Sequence, residues 1–283
     1  MGEPQTIQNA VLEAAEKLRA VTDAPRLEAE LLMARAIDMP RSFLFAHPDD
    51  ELDDDSLARL DETVCRRLAG EPMAYITGIK EFWSMELAVS PATLVPRPET
   101  ELLVDVALRD IPRKAEWHVL DLGTGSGAIA IALGRERPLC HVTAVDISAE
   151  ALAVARENAN RNTVGNIEFL EGDWTAPVAA RSFEVIVSNP PYVRADDEAL
   201  DALRAEPRLA LAAGEDGLDA IEIIARDCPA VIAADGLLVI EHGAEQKERV
   251  AERLLAYGWH RIRCYDDYSG FPRVTSAHYS ETT

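Results

Sequence analysis

Three short stretches of this chain carry side chains suited to chemistry: Asp121-Leu122-Gly123-Thr124-Gly125-Ser126-Gly127-Ala128, then Gly172-Asp173-Trp174, then Ser188-Asn189-Pro190-Pro191-Tyr192. In the first, glycines permit a tight turn and close backbone approach to a ligand. Gly123, Gly125 and Ala128 satisfy the relaxed dinucleotide fingerprint, and Asp146 follows at about the spacing of an acid that holds a ribose. By itself this loop suits NAD or another adenosine cofactor. Asp121, directly before the glycines, faces a pyrophosphate unfavourably and a cationic amino-acid group favourably. Asp173 and Trp174 add a carboxylate and an aromatic ring where an adenine should lie. S-adenosylmethionine, with an ammonium and a sulfonium and no phosphate, fits this set better. The cofactor-binding set is therefore Asp121, Gly123, Thr124, Gly125, Ser126, Gly127, Asp146, Asp173 and Trp174, with Asn189 at a neighbouring strand end. Each member has a plainer use: a glycine turn, an Asp146 N-cap for Ser148-Ala149-Glu150, a packed Trp174. Their joint placement at successive strand ends, where open α/β sheets bind ligands, argues for a site.

The third stretch directly follows the apolar run Phe183-Glu184-Val185-Ile186-Val187. Pro190 and Pro191 fix φ near −65° and restrict the residue before each, so the strand ends in a stiff extended corner between an amide and an aromatic ring.

The elements that must position these residues are legible in the hydrophobic period. From Thr6 to about Gly70 the pattern is helical, with Ile7, Ala10, Val11, Ala14, Ala15 and Leu18 on one face. Asp23 is the expected N-cap of a second helix carrying Leu27, Leu31, Leu32 and Ile37, with Pro25 in its first turn. The acidic run 49–55 leads into a helix with Leu57, Leu60, Val64 and Leu68. Between Tyr75 and Val95, β-branched and aromatic residues broken by Gly78 and Pro91 predict a hairpin. After a helix from Leu102, strands at Val119–Leu122, His141–Val145, Ile167–Leu170, Phe183–Val187 and Leu237–Ile240 alternate with helices at Ala128–Arg135, Ala149–Asn160 and Leu218–Ile232. Such alternation builds a parallel sheet covered on both faces. After a helix at Gln246–Ala256, Arg261–Tyr265 and Val274–Tyr279 are expected to form an antiparallel edge pair. The predicted organisation is an N-terminal helical domain (1–74), a β-hairpin linker (75–95) and an α/β domain (96–283).

At 283 residues with 48% hydrophobic and 28% charged content, the chain reads as globular. Its formal net charge of −22 opposes association with phosphate backbones, so no direct nucleic-acid partner is expected. Cys65, Cys140, Cys228 and Cys264 form no CxxC pair and the six histidines no HxxxH spacing, so neither a metal site nor a disulfide is expected. The N-terminus lacks the pattern of a secretory signal and no apolar stretch suits a membrane span, which makes the cytoplasm the expected location. A monomer is expected.

DLGTGSG, the Asp146 strand end, GDW and NPPY together resemble the class I S-adenosylmethionine methyltransferases that modify planar nitrogens. The segments EFWSMELAVSPATLVPRPETELL, EPRLALAAGEDGL and IEHG, with the helical N-terminal domain, narrow the resemblance to the bacterial HemK/PrmC family across essentially the whole chain. Tyr268 to Arg273 departs from the family's usual more polar turn, although Gly270 and Arg273 match. The resemblance implies a Rossmann-like methyltransferase fold, S-adenosyl-L-homocysteine as product, and a protein substrate: the glutamine of the Gly-Gly-Gln motif in class-1 peptide chain release factors, methylated on N5. It also implies that the Asn189 side-chain oxygen and the Pro190 backbone carbonyl accept the two N–H bonds of the substrate amide, that Tyr192 stacks on it, and that Pro190 and Pro191 hold the acceptors rigid. Catalytic roles thus fall to Asn189, Pro190 and Tyr192. No strong general base is required, because the nitrogen loses its proton readily once methylated. His242 is expected to be structural, and Glu241 to be structural or to act from behind the site. Two other substrates suit the same corner: a ribosomal-protein glutamine, or an exocyclic amine of adenine or guanine after base flipping.

Overall fold

The helical period before Gly70 and the strand–helix alternation beyond Glu116 fold as two separate units, residues 1–79 and 80–283. The computed structural model describes residues 5–280; residues 1–4 and 281–283, and with them the start of the segment read for a secretory signal, lie outside the described residues.

The first unit holds helices α1 (Ile7–Leu18), α2 (Pro25–Ala36), α3 (Arg41–Ala46), α4 (Asp54–Leu68) and α5 (Met73–Thr77). Thr6 caps α1 by accepting the Asn9 N–H, and Asp53 caps α4 by accepting the Ser56 N–H at 2.7 Å, so the acidic run does lead into a helix. The start of α2 differs from expectation. Ala24, not Asp23, stands at its N-cap without a side-chain bond, and Thr22 Oγ1 takes the Ala24 N–H instead. Its buried face is also rotated: Leu27 and Leu31 are exposed, while Ala29, Leu32, Met33 and Ala36 pack inward beside a buried Glu30. Glu30 tolerates that position because Arg26 Nε donates to Oε1 at 3.0 Å, and Arg41 donates through Nε at 2.8 Å and Nη2 at 2.6 Å to Oε2.

A hairpin of β1 (Ile79–Phe82) and β2 (Met85–Ala88) follows, all but its first residue within the second unit. Trp83 and Ser84 both take positive φ in its turn. Helix α6 (Glu101–Asp110) follows, and Glu101 Oε1 accepts the Trp83 N–H at 2.7 Å. The alternating part comprises β3 (His118–Leu122), α7 (Ala128–Glu136), β4 (His141–Asp146), α8 (Ala149–Arg161), β5 (Ile167–Glu171), β6 (Phe183–Ser188), a short α9 (Ala199–Ala202), α10 (Asp219–Asp227), β7 (Ile232–Glu241), α11 (Lys247–Ala256), β8 (Trp259–Asp266) and β9 (Pro272–Tyr279). The helix expected to reach Ile232 ends at Asp227, since Pro229 interrupts it within a 3-10 turn, and β7 begins at Ile232 rather than Leu237.

The sheet has seven strands in the order β5-β4-β3-β6-β7-β9-β8. The first five are parallel; β9 pairs antiparallel with β7 and with β8 at the edge. Alternate residues of one strand serve opposite faces: Val119 and Val185 join the core beneath α6 and α7, whereas Leu120 and Ile186 join the core with Ile221, Ile224, Val250 and Leu254. This is the mostly parallel α/β sheet with an antiparallel edge pair, accompanied by N-terminal helices, that the sequence predicts. Among the described residues no helix is long and apolar enough to cross a membrane.

Candidate active site

The parallel strands β3, β4, β5 and β6 all stop at one edge of the sheet, and the loops that follow them enclose a cavity of about 470 Å3. After β3 the chain turns through Gly123, Gly125 and Gly127, all at positive φ. The Gly123 and Thr124 N–H groups donate to Val145 O at 2.9 and 3.0 Å, which straps the loop to the end of β4. A Cβ on Gly127 would stand 3.0 Å from both Ala155 Cβ and Ile131 Cδ1, so this glycine serves the approach of α7 to α8. Asn158 on α8 braces the same loop from behind by donating to Ser126 O at 2.9 Å.

Asp146 is tied into the loop. Its Oδ2 accepts the Gly125 N–H at 2.8 Å and its Oδ1 the Ser148 N–H at 2.9 Å. The N-cap of α8 is Ser148, whose hydroxyl accepts the Ala151 N–H, so the capping use of Asp146 is set aside. Asp173 and Trp174 reach the cavity from the end of β5; Trp174 is held at φ 44°, an uncommon backbone for a bulky residue.

Asp121 stands behind the loop with no exposed surface. Thr124 Oγ1 donates to its Oδ2 at 2.6 Å, while Oδ1 has no hydrogen-bond partner. Burial pushes its carboxyl up to about 7; the Thr124 hydroxyl and the Ala130 N–H pull the other way, and the charge of Asp146 adds to the rise. A buried acceptor without a partner suits a cationic donor. The cavity lining includes Asp146, Glu150, Asp173 and Asp219 and no lysine, arginine or histidine among the described residues. Four carboxylates without a basic side chain fit a phosphate-free cationic nucleoside better than a dinucleotide.

At the end of β6, Ser188 Oγ donates to Leu122 O at 2.8 Å and so joins this corner to the root of the glycine loop. Asn189 and Pro191 line the cavity; Pro190 is buried behind them. The Asn189 Nδ2 donates to Thr100 Oγ1 at 3.2 Å, which leaves Oδ1 as the acceptor. Tyr192 is placed differently from a stacking ring on the wall. It packs against the core, its hydroxyl donates to Glu241 Oε1 at 3.1 Å, and its carbonyl accepts from Gln246 Nε2 at 3.0 Å. Of the sequence-predicted set, the cavity wall thus includes Gly123, Thr124, Gly125, Ser126, Asp146, Asp173, Trp174, Asn189 and Pro191; Asp121, Gly127, Pro190 and Tyr192 stand behind it.

His242 is fully buried, with Nδ1 2.8 Å from Gly243 O and Nε2 2.8 Å from Thr275 Oγ1, and burial holds its pKa below the usual value. Among the described residues no cluster of three or more His, Cys, Asp or Glu could hold a metal ion.

Sequence reasoning passed over Thr100, Ile147, Leu209 and Glu206. Thr100 lies inside the PRPETE segment, which signalled kinship without a role. Ile147 and Leu209 are exposed apolar residues of the wall, a state that pattern alone cannot show. Glu206 is buried, accepts the Val95 N–H at 3.0 Å and pairs with Arg97, which ties the segment preceding the Pro207–Gly214 wall to the one following Pro91.

Residues 9–78 match the family described as PrmC N-terminal domain, and residues 99–214 that described as Methyltransferase small domain. The chain is 44% identical over 278 residues to the release factor glutamine methyltransferase of Vibrio cholerae, covering 97% of each. It is 41% identical over 275 residues to the protein of that name from Escherichia coli, covering 96% of this chain and 98% of that one. Among solved structures, a methyltransferase from Pyrococcus furiosus shares the fold with a TM-score of 0.55 at 18% identity, across 78% of this chain and 99% of that one.

Proposed function

Because this chain belongs to the release factor glutamine methyltransferase family, we propose that it methylates the side-chain N5 of the glutamine in the Gly-Gly-Gln motif of class-1 peptide chain release factors. The observation that supports this most directly is the Asn189 amide, with its oxygen unengaged, on the wall of the cavity that the glycine loop enters.

S-adenosylmethionine supplies, when bound, an electrophilic methyl group on a sulfonium, and S-adenosyl-L-homocysteine is the product. Toward it, Gly123 to Ser126 offer a close backbone surface, Asp121 stands behind that loop with a carboxyl whose charge favours a cationic amino-acid group in front of it, Asp146 keeps acceptor capacity for ribose hydroxyls, and Asp173 and Trp174 flank the base. Toward the substrate, Asn189 Oδ1 and the Pro190 carbonyl accept the two amide N–H bonds. An amide nitrogen is a poor nucleophile because its lone pair is delocalised into the carbonyl, so the rate depends on alignment and on support for the positive charge that develops on the NH2. Pro190 and Pro191 keep the acceptors stiff, and Tyr192, anchored at both its hydroxyl and its carbonyl, braces the corner. The nitrogen becomes far more acidic once methylated, so the proton leaves after methyl transfer and no strong general base is required.

A single glutamine offers too little surface to specify a protein, so the helical first unit is assigned to holding the release factor. The proposed setting is a cytoplasmic monomer without nucleic-acid or membrane partners. Mass spectrometry of release factor, ribosomal proteins and DNA after incubation with enzyme and labelled methyl donor tests the reading. The expected result is one methyl group on the Gly-Gly-Gln glutamine; label on another substrate alone overturns it.

A further inference from the structure

Behind Asn189 stands a buried carboxylate that the methyl transfer described so far does not use. Ser188 and Ile240 are register partners, so the residues that follow them, Asn189 and Glu241, come side by side where β6 and β7 stop. Glu241 is 1% exposed; its Oε1 accepts the Tyr192 hydroxyl and its Oε2 has no hydrogen-bond partner. Thr100, also buried, at the start of α6, lies near the same carboxyl without a formed hydrogen bond to it and accepts the N–H of Asn189 Nδ2. A threonine hydroxyl has one proton to give. One of its two lone pairs accepts from Asn189, and its proton is free to turn to the Glu241 oxygen that lacks a partner.

The direction of this relay depends on Glu241. An ionised carboxylate only accepts, so Thr100 donates to it, the Thr100 lone pair faces Asn189, Nδ2 is drawn inward and Oδ1 is left for the cavity. A protonated Glu241 donates to Thr100 instead. The Thr100 proton then points at Asn189, the amide turns over, and an NH2 group meets the NH2 of the substrate. We infer that Glu241 is a positioning residue whose carboxylate, acting through Thr100, sets which end of the Asn189 amide faces the substrate. The inference rests on the reading of Asn189 as the clamp for a substrate amide.

The groups around Glu241 set when the relay reverses. Burial pushes its carboxyl up to about 7; the Thr100 and Tyr192 hydroxyls and the Arg273 guanidinium on β9 favour the charge, and Glu99, in the turn before α6, opposes it. Arg273 is itself shared with Asp267 at 3.4 Å, and His242, next along the chain, turns both ring nitrogens to other partners. Tyr192 is pushed up first by burial and then by Glu241, so it stays a donor.

The test follows the Asn189 side-chain NH2 signal by NMR in the full-length, ligand-free protein, assigned through Asn189→Ala, as pH is taken across neutrality. The expected result is a titration midway near neutral pH that disappears in Glu241→Gln and in Thr100→Val and returns in Thr100→Ser. Single-turnover methyl transfer at alkaline pH should fall about tenfold in Thr100→Val, the scale of one lost hydrogen bond, and recover in Thr100→Ser. An Asn189 signal indifferent to pH, or one that titrates unchanged in Glu241→Gln or Thr100→Val, overturns the inference. Should the signal titrate as expected while no release-factor glutamine is methylated, the relay stands and the substrate assignment falls.

Discussion

Glu30 of the helical unit and the two carboxylates buried behind the cavity of the α/β unit are handled in opposite ways. Glu30, in the helical unit, is 4% exposed, and three guanidinium N–H bonds from Arg26 and Arg41 reach its two oxygens. Burial alone would raise its pKa; the two arginines reverse that and hold it below the usual carboxylate range. Asp121 and Glu241, in the α/β unit, each keep one oxygen without a partner, and burial drives both up to about 7. A buried charge satisfied by its own chain does architectural work. A buried acceptor left open costs stability in the free protein and marks where a ligand or a reacting group will be met.

That contrast is sharpest at Asn189, the half-buried amide to which the open network leads. Asn189→Ala should lower the single-turnover rate by about 10²–10³, the effect of losing one pre-organised hydrogen bond to the reacting group, with cofactor affinity less affected and the unfolding midpoint little changed. A near-wild-type rate in a saturating assay would break the comparison.

A smaller effect, on stability alone, is expected in the helical unit. Arg41→Ala leaves Glu30 with Arg26 as its sole cation and should cost about 1–2 kcal/mol, less than the roughly 3–5 typical of breaking a fully buried pair, because Arg41 is itself half exposed. Urea unfolding reads this, with turnover per folded molecule unchanged. Since the folded-state pKa of Glu30 is depressed, its stabilisation is present above the ordinary value of 4.5 and is lost as pH falls through the folded value.

Asp121→Asn should do the reverse. The folded-state pKa of Asp121 is raised, so wild-type stability falls as pH climbs from the ordinary 3.8 to about 7 and then levels. The ligand-free variant should therefore melt higher than wild type at pH 8, by about 2–4 °C for each kcal/mol relieved, with the difference shrinking toward pH 4. Its melting point should respond less to S-adenosylmethionine than that of the wild type. A variant that melts lower when ligand-free at pH 8 would place Asp121 with Glu30 as architecture.

The strand–loop–helix order around Gly123, Asp146 and Asn189 was legible because glycine conformations, proline φ and apolar period act over a few residues. The errors came where distant partners intervened. Leu31 belongs to the expected apolar face of α2 yet is exposed, while the neighbouring Glu30 turns inward to partners that include Arg41, eleven residues on. The start of β7 at Ile232 is set by pairing with Phe183, far back in the chain. Thr100 carries no signal of its own; it matters because the fold sets it between Asn189 and Glu241, residues 89 and 141 positions later.

By itself the sequence determined which residues end the strands, where the backbone must turn, and that an amide, two prolines and an aromatic ring follow β6. Those are local consequences of side-chain and backbone chemistry. Only the tertiary structure decided that Tyr192 packs against the core behind the cavity wall, and that Asp121 and Glu241 are buried with an oxygen to spare while Glu30 is fully paired. Burial and hydrogen-bond satisfaction depend on neighbours brought from remote parts of the chain, and no spacing rule specifies them.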